Sequence, residues 1–149
     1  MTERENPFRF AERCLYDYLE NVARLEALRT DLKVLDAASS VNGQNYDGLP
    51  CLGYLRDAVS ARLERIENLE EDIRYLERRT EPIRHLYDDL RAEYVLDGSP
   101  KTILRGILEL FYLGENTWQA TAEELGLGRT SFFEKRKELV ELAIRYLGF

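Results

Sequence analysis

Residues 117–139 read TWQATAEELGLGRTSFFEKRKEL, and this stretch determines the fold that we expect for the C-terminal region. Thr117 can cap a helix over 118–124. Gly126 tolerates the positive φ angle of a sharp turn, and the small Ala122 lets two helix backbones approach closely. The spacing therefore predicts two helices that meet at a steep angle across a short turn, which is the geometry of a helix-turn-helix.

A last helix is expected over 129–147, after a sharp turn at 125–127. Phe132 and neighbouring leucines supply its inner face. Thr121 and Lys135 stand at positions where a helix-turn-helix usually has apolar residues. Thr121 can bury its methyl group and hydrogen-bond to the preceding turn, and the Lys135 stem can lie along the edge of the core while its head reaches water.

The first turns of this last helix carry the candidate DNA contacts. We expect positions 129, 133, 136 and 137 to lie on the face opposite Phe132 and Leu139. Arg binds guanine bidentately, Thr and Ser contact bases or phosphates, and the free N–H groups of a helix N-terminus attract phosphate. Phe133 has two interpretations, which are packing against the first helix of the domain and contact with a thymine methyl group. The candidate DNA-binding residues are Arg129, Thr130, Ser131, Phe133, Arg136 and Lys137.

The residues before this region mark a domain boundary. Ser99 can cap a helix, and Pro100 can occupy its first position. The apolar residues that follow predict a helix over 103–113. We therefore divide the chain into a helical oligomerisation region, 1–98, and a helix-turn-helix DNA-binding domain, 99–149.

Two long helices are predicted in the N-terminal region, the first over about 7–38 and the second over about 54–80. Pro82 interrupts the second pattern and should kink the helix or restart it. Turn-forming residues in 39–53 predict an ordered connector between the two helices. The apolar stripe of the first helix is Leu15, Tyr18, Val22, Leu25, Leu28, Leu32 and Leu35, and the heptad seam of the second is Ile66, Leu69, Ile73, Leu76, Thr80, Ile83, Tyr87 and Leu90.

These stripes predict the architecture of the whole chain. Two long amphipathic helices joined by a short connector are expected to fold back on each other. The predicted fold class is all-α, with a long antiparallel, coiled-coil-like helical hairpin followed by a small C-terminal helix-turn-helix domain. A two-helix hairpin covers each apolar stripe only in part, so we expect region 1–98 to form a homodimer.

The distribution of charge decides whether DNA binding is compatible with an acidic protein. The net charge is −7. All of this excess lies in residues 1–98, and residues 99–149 are neutral. Within that neutral part, positive charge is clustered at Arg129 and at 135–137. The sequence therefore disfavours general binding to polyanions and permits one local basic surface.

Few residues in this sequence suit an enzyme. The single histidine, His85, falls in an amphipathic helix, and no nucleophile motif or phosphate-binding glycine loop is present. Cys14 and Cys51 do not have the spacing of a metal site. We expect no catalytic residue, no metal and no cofactor.

No apolar run is long enough to cross a bilayer, and the charged N-terminus does not have the pattern of a signal peptide, so we expect a cytoplasmic protein without a membrane partner.

Residues 117–139 resemble the fourth region of bacterial sigma factors. The wider layout resembles the RinA/ArpU-type phage late-transcription regulators through the connector YDGLP at 46–50, a tryptophan-containing first helix and the Ser-Phe-Phe segment at 131–133. These motifs cover under half of the chain. The resemblance implies sequence-specific binding to double-stranded DNA at a phage promoter, activation of late genes and contact with host RNA polymerase.

Two other functions are compatible with these patterns. A phage small terminase subunit also joins a helix-turn-helix to oligomerising helices, but it usually has its DNA-binding domain first in the chain. A coiled-coil adaptor would use the C-terminal helices only to bind protein. The acidic total favours the adaptor, and the basic cluster in the last helix favours a DNA-binding regulator.

Overall fold

The computed structural model describes residues 6–42, 52–92 and 100–148, and every element in these ranges is helical. The all-α class predicted from the sequence is confirmed. No helix in these ranges is long and apolar enough to cross a membrane. The elements are α1 (Pro7–Tyr16), α2 (Tyr18–Asn42), α3 (Leu52–Ala92), α4 (Pro100–Ile107), a π-helical segment (Leu108–Leu113), α5 (Trp118–Leu125) and α6 (Arg129–Leu147).

The first predicted helix is in fact two helices. α1 begins as expected, with Pro7 in its first turn and the Asn6 side chain accepting a hydrogen bond of 2.9 Å from the Phe8 N–H. It ends at Tyr16, and the φ of −91° and ψ of 1° of the following residue, Asp17, leave the α-helical region. Aspartate is a poor helix former because its side chain competes for backbone hydrogen bonds. The prediction of one continuous helix over 7–38 is therefore wrong at this position.

The second predicted helix is longer than the range of about 54–80 assigned to it. α3 runs from Leu52 to Ala92 with Pro82 inside it, so the helix does not restart there. Interior proline costs about 3 kcal/mol, and burial of the neighbouring Thr80, Ile83 and Leu86 offsets that cost. Every position of the predicted heptad seam is buried or half-buried.

The contacts divide the chain into two compact units, which differ from the predicted domains. One unit comprises Met1–Asn21 together with Arg78–Phe149, and the other comprises Val22–Glu77. The predicted boundary between residues 98 and 99 lies outside the described residues, and so do residues 43–51 of the predicted connector. Residues 39–42 and 52–53 of that connector belong to α2 and α3, so its predicted bounds of 39–53 were too wide. The division differs because α1 and the end of α3, both in the region predicted to mediate oligomerisation, share one core with the C-terminal helices.

The core of the first unit is built from α1, the end of α3 and all the C-terminal elements. α1 packs most extensively against α6, and α4 also packs against α6. The fully buried side chains of this core include Leu15, Ile83, Leu86, Ile107, Leu108, Tyr112, Phe132, Leu139 and Val140.

Two tyrosine hydroxyls hold the end of α3 within this unit. The Tyr87 hydroxyl donates a hydrogen bond of 2.7 Å to the Glu109 carboxylate in the π-helical segment. The Tyr146 hydroxyl of α6 donates to the Asp89 carboxylate. That hydrogen bond, with a smaller contribution from burial, raises the pKa of Tyr146 to about 12.

The second unit has a smaller core. Leu25 of α2 is buried with Ile73 and Leu76 of α3, and two further α2 leucines pack against them in part. At one end of this cluster, Arg29 and Glu77 form an exposed ion pair of 2.9 Å. Exposed pairs of this kind contribute well under ~1 kcal/mol, so the leucine and isoleucine contacts supply most of the stability here.

The bounds and caps of α5 and α6 match the sequence prediction closely. Thr117 caps α5 by accepting a hydrogen bond of 3.1 Å from the Ala120 N–H. Gly126 ends α5 with φ 69° and ψ 31°, in the left-handed region. Thr121 is buried, and its hydroxyl donates to the Thr117 carbonyl oxygen at 2.9 Å, as expected. The Lys135 ammonium reaches Glu138 at 3.0 Å.

We predict that Gly126→Ser lowers the free energy of unfolding by about 1 kcal/mol, because serine would be forced into the left-handed region. A Cβ atom at this position meets nothing within 4 Å, so the cost is conformational rather than steric. Gly128→Ser is the matched control. Its φ of −76° and ψ of 171° suit any residue, its Cβ also meets nothing within 4 Å, and serine is a good N-cap. Urea denaturation of both variants measures the difference, and equal midpoints would contradict the prediction.

Candidate nucleic-acid interface

The N-terminal end of α6 exposes polar groups at the start of a helix. Gly128 precedes the helix in an extended conformation, and the first helical hydrogen bond joins the Phe132 N–H to the Gly128 carbonyl oxygen at 2.9 Å. The backbone N–H groups of residues 129–131 precede that bond, so they point out of the helix end. Arg129, Thr130 and Ser131 are exposed, and the first turn of α6 contains no acidic residue. This end of the helix therefore has a positive potential.

Arg129 lies against the tryptophan of the preceding helix. Its guanidinium carbon is 5.7 Å from the centre of the Trp118 ring. A cation held over an aromatic face is attracted by the ring quadrupole, which limits the rotamers that this exposed side chain explores. The contact joins α5 to the first turn of α6 on the protein surface.

Phe133 is half-buried and belongs to an aromatic cluster. Its ring centre is 5.3 Å from that of Trp118 and 5.3 Å from that of Phe132. The Arg136 guanidinium carbon lies 5.9 Å from the centre of the Phe133 ring. Of the two interpretations from the sequence, these contacts favour packing, here against Trp118 of α5.

Arg136 is engaged inside the protein. Its Nη2 atom forms a short ion pair with Oε2 of Glu12 in α1, and its Nε atom donates to the same oxygen at 3.1 Å. Nε also lies 3.2 Å from the Tyr112 hydroxyl, which donates to Glu12 at 3.1 Å. Only 25% of the Arg136 side chain and 19% of the Glu12 side chain are exposed. We call these three residues the Glu12–Tyr112–Arg136 cluster.

Burial and hydrogen bonds together set the protonation states of Tyr112 and Arg136. Burial raises the pKa of Tyr112 strongly, although the hydrogen bond from Arg136 opposes that shift. Burial by itself would lower the pKa of Arg136, but its hydrogen bonds to Tyr112 and Glu12 outweigh that effect and raise it. At neutral pH the tyrosine therefore stays protonated as a donor and the arginine stays charged.

The position of Arg136 on α6 argues against the predicted contact between its side chain and DNA phosphate. At 100° per residue, position 136 lies only about 40° around the helix from Phe132, and position 129 lies about 60° from it. Lys137 lies about 140° from Phe132 and is exposed. Of the four positions assigned to the face opposite the core, only 137 occupies it. Arg136 holds α1 to α6 instead.

The outward face of α6 carries both signs of charge. Thr130 and Lys137 share it with Glu134 and Glu141, all of which are exposed. Further along, Glu138 pairs with Lys135, so that the ammonium of Lys135 is partly neutralised. The accessible set of candidate contacts is therefore Arg129, Thr130, Ser131 and Lys137, which leaves the positive surface concentrated at the N-terminal end of the helix.

Among the described residues, no group of three or more histidine, cysteine, aspartate or glutamate side chains is arranged to hold a metal ion. No protein-family model, curated protein or solved structure matches the chain.

Proposed function

We propose that this chain is a sequence-specific, double-stranded DNA-binding regulator of transcription that reads DNA with the N-terminal end of α6. The observation that carries the proposal is the open first turn of this helix, where three exposed polar side chains surround N–H groups that have no helical acceptor. Helix-turn-helix proteins direct the same part of their recognition helix toward base edges in the major groove. The activation of phage late genes and the contact with RNA polymerase, which the family resemblance implies, are parts of this proposal.

Each residue of the accessible set has a distinct role in this mechanism. Arg129, held over Trp118, presents its guanidinium to the O6 and N7 atoms of a guanine. Thr130 and Ser131 contact bases or phosphates beside it. Lys137, two turns further along, contacts the phosphate backbone and positions the helix without reading sequence.

The scarcity of accessible positive charge limits the affinity of one copy. Arg136 is neutralised by Glu12, and Glu134 and Glu141 lie beside Lys137 on the outward face. Repulsion between these carboxylates and DNA phosphate weakens binding to every sequence, so that discrimination between sequences depends on the base contacts. The proposed regulator therefore gains its specificity from few contacts and its affinity from the pairing of copies.

We expect Arg129→Ala to weaken binding to the preferred DNA sequence by about 1–3 kcal/mol and to relax the preference at one base pair. Lys137→Ala should weaken binding to all sequences alike and lower the slope of log affinity against log salt by about one unit. The preferred duplex is first selected from a random pool with the wild-type protein. Fluorescence anisotropy then compares the selected and a scrambled duplex at two salt concentrations.

Arg145→Ala is the matched control for these two variants. Arg145 is also an exposed positive residue of α6, but it lies in the last turn, far from the proposed interface. It should bind DNA as the wild type does. Wild-type affinity in both Arg129→Ala and Lys137→Ala would instead support a protein-binding adaptor, the function that the glutamates on the outward face of α6 favour.

A further inference from the structure

Three large apolar side chains of α3 are exposed in the unit Val22–Glu77, and two of them, Val59 and Leu63, lie four residues apart. Val59 is 46% exposed and Leu63 is 56% exposed. Position 63 lies about 80° around the helix from the buried Ile73 and about 140° from the buried Leu76. Leu63 therefore lies beside the line of residues that packs on α2, whereas Val59, about 20° from the half-buried Ile66, lies on that line.

Charged residues are placed symmetrically about Leu63. Arg56 is seven residues before it and Glu70 is seven residues after it, and both are exposed. A spacing of seven residues returns to nearly the same side of an α-helix, about 10 Å along its axis. Arg56, Leu63, Glu67 and Glu70 therefore form one exposed stripe, in which Leu63 separates a positive end from two glutamates, and Val59 lies at the edge of the stripe. We call this the α3 stripe.

We propose that the α3 stripe is the homodimer interface, on which a second copy of this chain docks antiparallel about a twofold axis at Leu63. A twofold rotation there places Leu63 on the partner's Leu63. It also places Arg56 opposite the partner's Glu70, and Glu70 opposite the partner's Arg56. The interface is isologous, so one charge pattern supplies both ion pairs.

The charge pattern distinguishes a second copy in this orientation from other arrangements. A parallel pairing would bring Arg56 onto Arg56 and Glu70 onto Glu70, and like charges in contact are destabilising. The antiparallel pairing converts both repulsions into attractions, covers Leu63 with the partner's Leu63, and places Val59 opposite the partner's Glu67. The proposal gives the self-association predicted from the sequence a defined location, and it does not depend on DNA binding.

The experiment measures the dimer dissociation constant of the full chain by sedimentation equilibrium. Leu63→Glu places two carboxylates together at the axis and should raise the dissociation constant by more than about tenfold. Arg56→Glu and Glu70→Arg should each raise it by about fivefold, since each creates two like-charge contacts per dimer. Val34→Glu is the control. Val34 is 63% exposed on α2, outside the stripe, and its variant should dimerise as the wild type does.

Mixing the two charge variants tests the orientation. In a heterodimer of the Arg56→Glu and Glu70→Arg chains, both contacts join opposite charges, so an equimolar mixture should regain wild-type affinity. The double variant should regain it as a homodimer. Circular dichroism must show unchanged helix content in every variant. A wild-type monomer at 100 µM, wild-type affinity in Leu63→Glu, or no recovery on mixing would each overturn the proposal.

Discussion

Replacing Glu12 with alanine is expected to lower the free energy of unfolding by about 2–3 kcal/mol, although Glu12 lies in the first helix, far along the chain from its partner. The substitution leaves the Arg136 guanidinium largely buried without its carboxylate and takes an acceptor from the Tyr112 hydroxyl. An uncompensated, largely buried charge costs more than an exposed pair contributes. Chemical denaturation followed by circular dichroism measures the loss.

Four further variants separate the charge interaction from other effects. Glu12→Gln keeps hydrogen-bond acceptors but no charge, and it should give an intermediate loss. A double-mutant cycle of Glu12→Ala with Arg136→Ala should give a coupling energy of about 1–2 kcal/mol. Glu141→Ala removes an exposed glutamate of α6 and should change stability by less than about 0.5 kcal/mol. Equal losses in Glu12→Ala and Glu141→Ala would show that the cluster contributes nothing specific.

Features determined by neighbouring residues were predictable from the sequence. The cap at Thr117 and the left-handed turn at Gly126 were located correctly because each depends on hydrogen bonds or backbone angles within a few residues. The heptad seam of α3 was also predicted, since its periodicity extends over many turns. The restart considered at Pro82 does not occur, because burial of the surrounding residues, which local sequence preference does not reveal, offsets the cost of the proline.

Features that depend on distant residues were not predictable. Arg136 looked like a surface arginine in a basic run, and its partner Glu12 is 124 positions away. No periodicity in either segment indicates that pairing.

The error in assigning faces to α6 had a different cause, because rotation at 100° per residue already places position 136 beside Phe132. That signal was present in the sequence and was misinterpreted.

The largest expected effect comes from Leu15→Ala in α1, which should lower the free energy of unfolding by about 3–4 kcal/mol. Leu15 is fully buried in the core that α1 shares with the C-terminal helices, so alanine would leave a cavity lined by apolar groups. The single tryptophan, Trp118, lies in α5 and reports on those helices. Tryptophan fluorescence during denaturation should therefore show the transition at a lower denaturant concentration than in the wild type.

Leu19→Ala is the matched control, because it makes the same change four residues later at a side chain that is 54% exposed. It should shift the transition by less than about 0.5 kcal/mol. The two variants also distinguish the domains predicted from the sequence from the two compact units of the structure. If the C-terminal helices formed a separate domain after residue 98, neither substitution would move the Trp118 transition. A shift with Leu15→Ala alone would mean that α1 is part of the core on which α5 and α6 depend.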